Sequence, residues 1–147
     1  MTKANRENLT PLAHSAQNRC FGCGPLNPGG LKLEFFLTPD GSVVCPTAVS
    51  DLFEGHPGYL HGGIIATLLD ESMSKAVRAR GLLAMTRHLE IDYRRPVPSG
   101  AEIRIEAKVT RSEGRKHWAE AHIYDAEQKA LAQGKGLFVE VRRSEGA

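Results

Sequence analysis

Only one stretch of the chain carries a helical period. Between residues 61 and 80, Ile64, Ile65, Leu68, Leu69, Met73 and Ala76 recur at steps of three and four, which predicts an amphipathic helix with one apolar face. Gly81 follows as a candidate C-terminal cap, and Lys75, Arg78 and Arg80 stand near the negative end of the helix dipole. No second helix of comparable quality is present. A lone amphipathic helix must bury its stripe against something else, and the rest of the chain offers strands.

Two strand patterns precede the helix: "LKLEFFL" (31–37) and "SVVCPTAVS" (42–50), joined by a "PDG" turn at 39–41. Pro46 in the second marks an edge position or a bulge. Four follow it. "TRHLEIDYRRPV" (86–97) places Leu89, Ile91 and Tyr93 on one face. "AEIRIEAKVTR" (101–111) alternates Ile103, Ile105, Ala107 and Val109 with Glu102, Arg104, Glu106 and Lys108. "HWAEAHIYD" (117–125) and "KALAQGKGLFVEVRR" (129–143) complete the set. This order lacks the βαβ alternation of a parallel sheet, so the class is α+β. The expected architecture is a hotdog fold, a curved, mainly antiparallel six-stranded sheet wrapped around one long central helix. Such a plan leaves a sheet edge and the helix flanks to be covered, so a homodimer is expected, with a dimer of dimers as the next assembly. Residues 1–19 are polar and aperiodic and are expected to form a flexible N-terminal arm, with 20–147 a single domain.

Composition narrows the function classes. The formal net charge is +2, and Lys and Arg are mixed with Asp and Glu, which argues against nucleic acid as a partner. The longest apolar runs, such as "GGIIATLL", are too short to span a bilayer. "MTKANRENLTPLAHSAQ" has no apolar core of a secretory signal, so a cytoplasmic location is expected. The three cysteines, Cys20, Cys23 and Cys45, do not make a disulfide scaffold. "CFGCG" is half of a zinc-ligand pattern. His14 and Cys45 could complete it, but no second CxxC or HxxxH follows. The reading adopted is a Gly-rich turn with packed thiols and no metal. A redox role lacks the βαβ context it needs.

Two features of "HGGIIATLLDE" (61–71) carry chemistry. The glycines after His61 leave free N–H groups at a helix start, suited to an anion or a developing oxyanion. The same residues also fit a tight entry into a helix. Asp70 is a poor helix former inside the helix. It falls at the boundary of the apolar stripe, beside Ala66, Met73 and Val77. That position fits either a solvated polar residue or a group lining a cleft. From Gly62 to Asp70 is eight residues, roughly 12 Å along the axis. One reacting centre cannot touch both ends within one chain, so joint action requires the glycine of one subunit and the aspartate of another.

With "CFGCGPLNPGGLKL" before it and "EIDYRRPVPSGAEIRIEAKV" after it, "GYLHGGIIATLLDE" resembles the hotdog-fold acyl-CoA thioesterases, in particular the PaaI-type branch and the human thioesterase-superfamily members. The resemblance covers roughly residues 20–142. It implies hydrolysis of acyl-CoA to a carboxylic acid and CoA, with no cofactor beyond the coenzyme A of the substrate. It assigns Asp70 as general base or nucleophile, Gly62 with His61 as the carbonyl-polarising segment, and Thr86 as the hydroxyl that holds the water or the carboxylate. Some members carry an asparagine six residues before the histidine, where this chain has Gly55; His56 is the candidate substitute. Gly63, Glu71, Arg94 and Arg95 complete the expected substrate-binding set, the arginines for CoA phosphates. Glu71, 100° around the helix from Asp70, is expected to face solvent or pair with Lys75. Phe53, Tyr59, Leu60, Met73 and Met85 are candidate linings for the acyl group.

Two other functions fit the same residues. A hotdog hydratase or dehydratase would use His61 and Asp70 for proton transfer to carbon. A non-catalytic hotdog protein would bind acyl-CoA without turning it over.

Overall fold

The structure, a computed structural model, describes residues 8–13 and 16–141. Among them are seven strands and one long helix. The strands are β1 (Thr10–Pro11), β2 (Phe36–Leu37), β3 (Val43–Thr47), β4 (Ala84–Tyr93), β5 (Ile103–Glu113), β6 (Lys116–Asp125) and β7 (Ala130–Glu140). The helix is α1 (Gly62–Arg78). All strands join one antiparallel sheet in the order β1-β2-β3-β5-β6-β7-β4. The helix packs across β3, β5, β6, β7 and β4, which is the hotdog arrangement. No helix among the described residues is long and apolar enough to cross a membrane.

The strand count exceeds the expected six by one. Thr10–Pro11, assigned from the sequence to a flexible arm, pairs with Phe36–Leu37, and the Leu12 N–H donates to the Phe35 carbonyl at 2.9 Å. The 31–37 strand shrinks to its last two residues. Lys32 sits at φ 52°, outside the extended region. The N–H groups of Leu31 and Leu33 instead bond the carbonyls of Phe21 and Gly22, at 2.8 and 2.9 Å. This segment is therefore tied to the CFGCG loop rather than to a sheet partner. Pro46 lies where β2 has already ended, so its missing N–H costs the sheet no bond on that side.

The helix lies close to the sheet because β5, β6 and β7 present small residues beneath it: Ala107, Ala119, Ala121, Ala132, Gly134 and Gly136. A Cβ on Gly134 would stand 3.2 Å from Ile91 Cδ1, 3.3 Å from Met73 Cε and 3.4 Å from Leu69 Cβ. Leu68, Leu69 and Met73 are wholly buried, each contributing about 1.5–3 kcal/mol. Met73 fills the space over this glycine floor and does not line an acyl channel within the chain. Ser72 is also fully buried, its hydroxyl donating to the Leu68 carbonyl at 2.7 Å.

Candidate active site

The helix start is built by the loop before it. Glu54 Oε2 accepts from the Gly58 N–H at 3.0 Å and from the Ser99 hydroxyl. Gly58, at φ +89°, takes the turn that L side chains avoid. The His61 N–H donates to the Phe53 carbonyl at 3.0 Å, and Leu60 donates to Val97 at 2.9 Å. His61 is the N-cap, its Nδ1 accepting the Gly63 N–H at 2.9 Å. The N–H of Gly63 is thereby engaged within the chain. The Gly62 N–H finds no acceptor among the described residues, so it is the donor the helix start presents.

His56, Tyr59, Leu60, His61, Gly62 and Pro96 line an open cleft of about 610 Å³ at this end of the helix. His56 is exposed at this cleft. A Cβ on Gly55 would lie 3.2 Å from His61 Cα, so the loop rests on the histidine too closely for a larger residue without adjustment.

Asp70 is half-buried on the flank of α1, with its Oδ1 accepting from the Thr86 hydroxyl at 2.7 Å. Burial pushes its carboxyl above the usual carboxylate range. The Thr86 hydrogen bond pulls it back in part, and the neighbouring Glu71 charge raises it further. Thr86 reaches Asp70 because of a bulge. The β4–β7 register runs Ile91↔Gly134 and Leu89↔Gly136, then shifts between Thr86 and His88 so that Thr86 pairs with Phe138. The extra residue, Arg87, reverses the alternation and turns Thr86 to the helix side with Leu89 and Ile91.

Tyr93 anchors the other end. Its hydroxyl donates to the Gly62 carbonyl at 2.8 Å. Helix and strand therefore run antiparallel, with Asp70 at the start of β4 and Gly62 at its end. The structure does not bring His61 and Asp70 together within the chain.

Glu71 departs from expectation. It turns under the CFGCG loop, where Cys20 Sγ donates to its Oε2 at 3.6 Å, and a Cβ on Gly22 would come within 2.9 Å of its carboxyl. Lys75 does not pair with it; its Nζ stands 6.0 Å from the Phe35 ring centroid. The helical projection left this face open, but the loop covers it. Arg94 is held by Asp92 Oδ2 at 3.2 Å and Gln133 Oε1 at 3.0 Å. Arg95 is exposed and precedes Pro96, which lines the cleft, but is not itself among the lining residues.

Residues 57–132 match the family model described as the thioesterase superfamily, and the chain belongs to that family. Rat acyl-coenzyme A thioesterase THEM4 is 30% identical over 108 residues, which are 73% of this chain and 46% of that protein. The chain spans about half the length of the curated relatives it matches first. A crystal structure of a thioesterase superfamily protein superposes with a TM-score of 0.78 at 30% identity, covering 82% of this chain and 62% of the other. The Escherichia coli PaaI protein of the phenylacetic acid degradation operon shares the fold, with a TM-score of 0.71 at 22% identity over 78% of this chain and 83% of that one.

Proposed function

We propose that the chain hydrolyses acyl-CoA thioesters as a homodimer, with each site divided between two subunits. The observation that carries this reading is the Asp70 carboxylate, half-buried and held by Thr86 on the helix flank next to β4. Family membership and the THEM4 relatives, themselves named acyl-coenzyme A thioesterases, support the reaction class.

β4 ends the sheet, ten residues long and without a partner on its outer side among the described residues. Met85 and Tyr93 are exposed along it. Long bare edges invite pairing with another chain. Along the β7 ladder Thr86 stands at Phe138 and Tyr93 at Ala132, so with Arg87 bulged out their midpoint falls at Glu90. Two copies of β4 paired antiparallel about that midpoint set Thr86 opposite Tyr93 of the partner subunit. Asp70 rides with Thr86 and Gly62 with Tyr93, so the same two-fold brings Asp70 to the partner subunit's Gly62. A second such site arises by symmetry.

In each site the Gly62 N–H, aligned with the helix dipole, stabilises the oxyanion. Asp70 takes a proton from water, whose oxygen adds to the carbonyl carbon. The C–S bond then breaks, and the CoA sulfur leaves with the returned proton. Direct attack by Asp70 is the alternative first step. Arg95, exposed next to the cleft residue Pro96, offers a cation for a CoA phosphate. No metal or cofactor enters these steps.

The test is thiol release from a panel of acyl-CoAs by the purified chain. Cleavage that Asp70→Ala abolishes is expected; a full rate without Asp70, or no cleavage of any thioester, overturns the reading.

A further inference from the structure

Outside that site, one cluster of side chains remains unexplained by thioester chemistry. The Sγ atoms of Cys20 and Cys23 and a carboxylate oxygen of Glu71 lie within 4.8 Å of one another. We propose that these three residues bind a divalent metal of the zinc type, with water as the fourth ligand. The site would join the CFGCG loop to the helix at the residue after Asp70.

The donor set suits such an ion. Two thiolates and a carboxylate favour a borderline-soft cation over magnesium or calcium. The spacing suits it too. Ligand bonds of about 2.3 Å to sulfur and 2.0 Å to oxygen at the tetrahedral angle set an S···O edge of about 3.5 Å. Cys20 Sγ and Glu71 Oε2 are 3.6 Å apart. Hydrogen bonding alone satisfies the cluster poorly, because thiols are weak donors and a carboxylate only accepts.

The loop is formed as a turn that aims both sulfurs at one point. The Gly24 N–H donates to the Cys20 carbonyl at 2.8 Å. A Cβ on Gly24 would lie 2.3 Å from Cys20 N, so only glycine closes this turn. Asn18 supplies outer support from both ends of its amide. Its Oδ1 accepts the Cys20 N–H at 2.9 Å, and its Nδ2 donates to Cys23 Sγ at 3.3 Å. An N–H aimed at sulfur is the contact that supports a metal-bound thiolate. Lys75, one turn beyond Glu71, offsets the single negative charge left by a dication with three anionic ligands. Binding releases the two thiol protons to solvent.

The ligand missing from the CxxC is thus Glu71, which sequence spacing placed on a solvent face. Cys45 is buried in β3 and stands outside the cluster; His14 lies outside the described residues.

Metal content tests this without reference to activity. The full chain, expressed with zinc and gel-filtered, should carry about one zinc per chain, and the mercurial p-hydroxymercuribenzoate should release it to a chromogenic chelator. Cys20→Ser and Cys23→Ser should lose most of the metal, and Glu71→Gln should weaken retention at least tenfold. Because substitutions in a packed loop can disturb folding, cobalt(II) is titrated into metal-free wild type as a second measurement. A thiolate-to-cobalt charge-transfer band with tetrahedral d–d absorption is expected. Zinc-free chain from zinc-rich medium together with no thiolate–cobalt band overturns the proposal, as does unchanged zinc content in folded Cys23→Ser.

Discussion

Thr86 donates its hydroxyl to Asp70 across the gap between β4 and α1, at 2.7 Å. The two residues are 16 apart in sequence, and a single extra residue in the strand decides that they meet. Removing the hydroxyl with the shape kept, as in Thr86→Val, leaves the carboxylate without its donor. A hydrogen bond to a charged group is worth about 1.5–3 kcal/mol, so kcat should fall about 10- to 100-fold with little change in KM. The acid limb of the pH–rate profile should move to higher pH, because Thr86 is the group holding the Asp70 pKa down. An unmoved limb would show that Thr86 does not tune the carboxylate.

Asp70→Asn separates catalysis from stability. Loss of the proposed base should lower kcat by about 10²- to 10⁴-fold. Burial raises the pKa of Asp70 in the folded chain, so its ionisation weakens the fold as pH rises through that raised value. The Asn variant should therefore melt no lower than wild type at neutral pH. Any advantage in Tm should vanish below the ordinary aspartate range, where both states of the wild type are protonated.

Gly62→Pro removes the proposed oxyanion donor while respecting the backbone. Proline is accepted at the first helical position, and His61, at φ −62° and ψ 140°, already has the extended conformation required before proline. The variant should fold and lose about 10²- to 10³-fold in kcat. Mixed after dissociation with Asp70→Asn, it should recover about one quarter of wild-type activity, because half of the dimers then hold one intact site. A site made within one chain would recover nothing.

Arg95→Glu should raise KM for acyl-CoA more than it lowers kcat if the guanidinium meets a CoA phosphate. The steady-state parameters of the folded variant decide this, and an unchanged KM would clear the residue.

Gly134→Val tests the floor beneath the helix. Its side chain would collide with Met73, Leu69 and Ile91, and overpacking of this kind costs about 1–3 kcal/mol. A lower denaturation midpoint should register it.

Much of this arrangement was legible in the residues. The 3.6 period gave the helix and most of its buried face. The period of two gave β5, and helix rise alone divided Gly62 from Asp70. The remainder depended on what lay elsewhere in the chain. Strict alternation from Leu89 and Ile91 points Thr86 away from the helix, and no Gly or Pro in 84–93 announces the bulge that reverses it. A helical projection finds Glu71 on a polar face but cannot know that residues 20–24 cover it. Two residues at 10–11 are too few to show any period, though they form a strand.

The proposed pairing along the bare edge of β4 also implies a rule of stoichiometry. A reaction centre shared between two chains exists only while they are paired, so turnover per chain falls as the protein is diluted below its dissociation constant. In that regime the total rate grows with the square of chain concentration, and abundance itself becomes a control on activity.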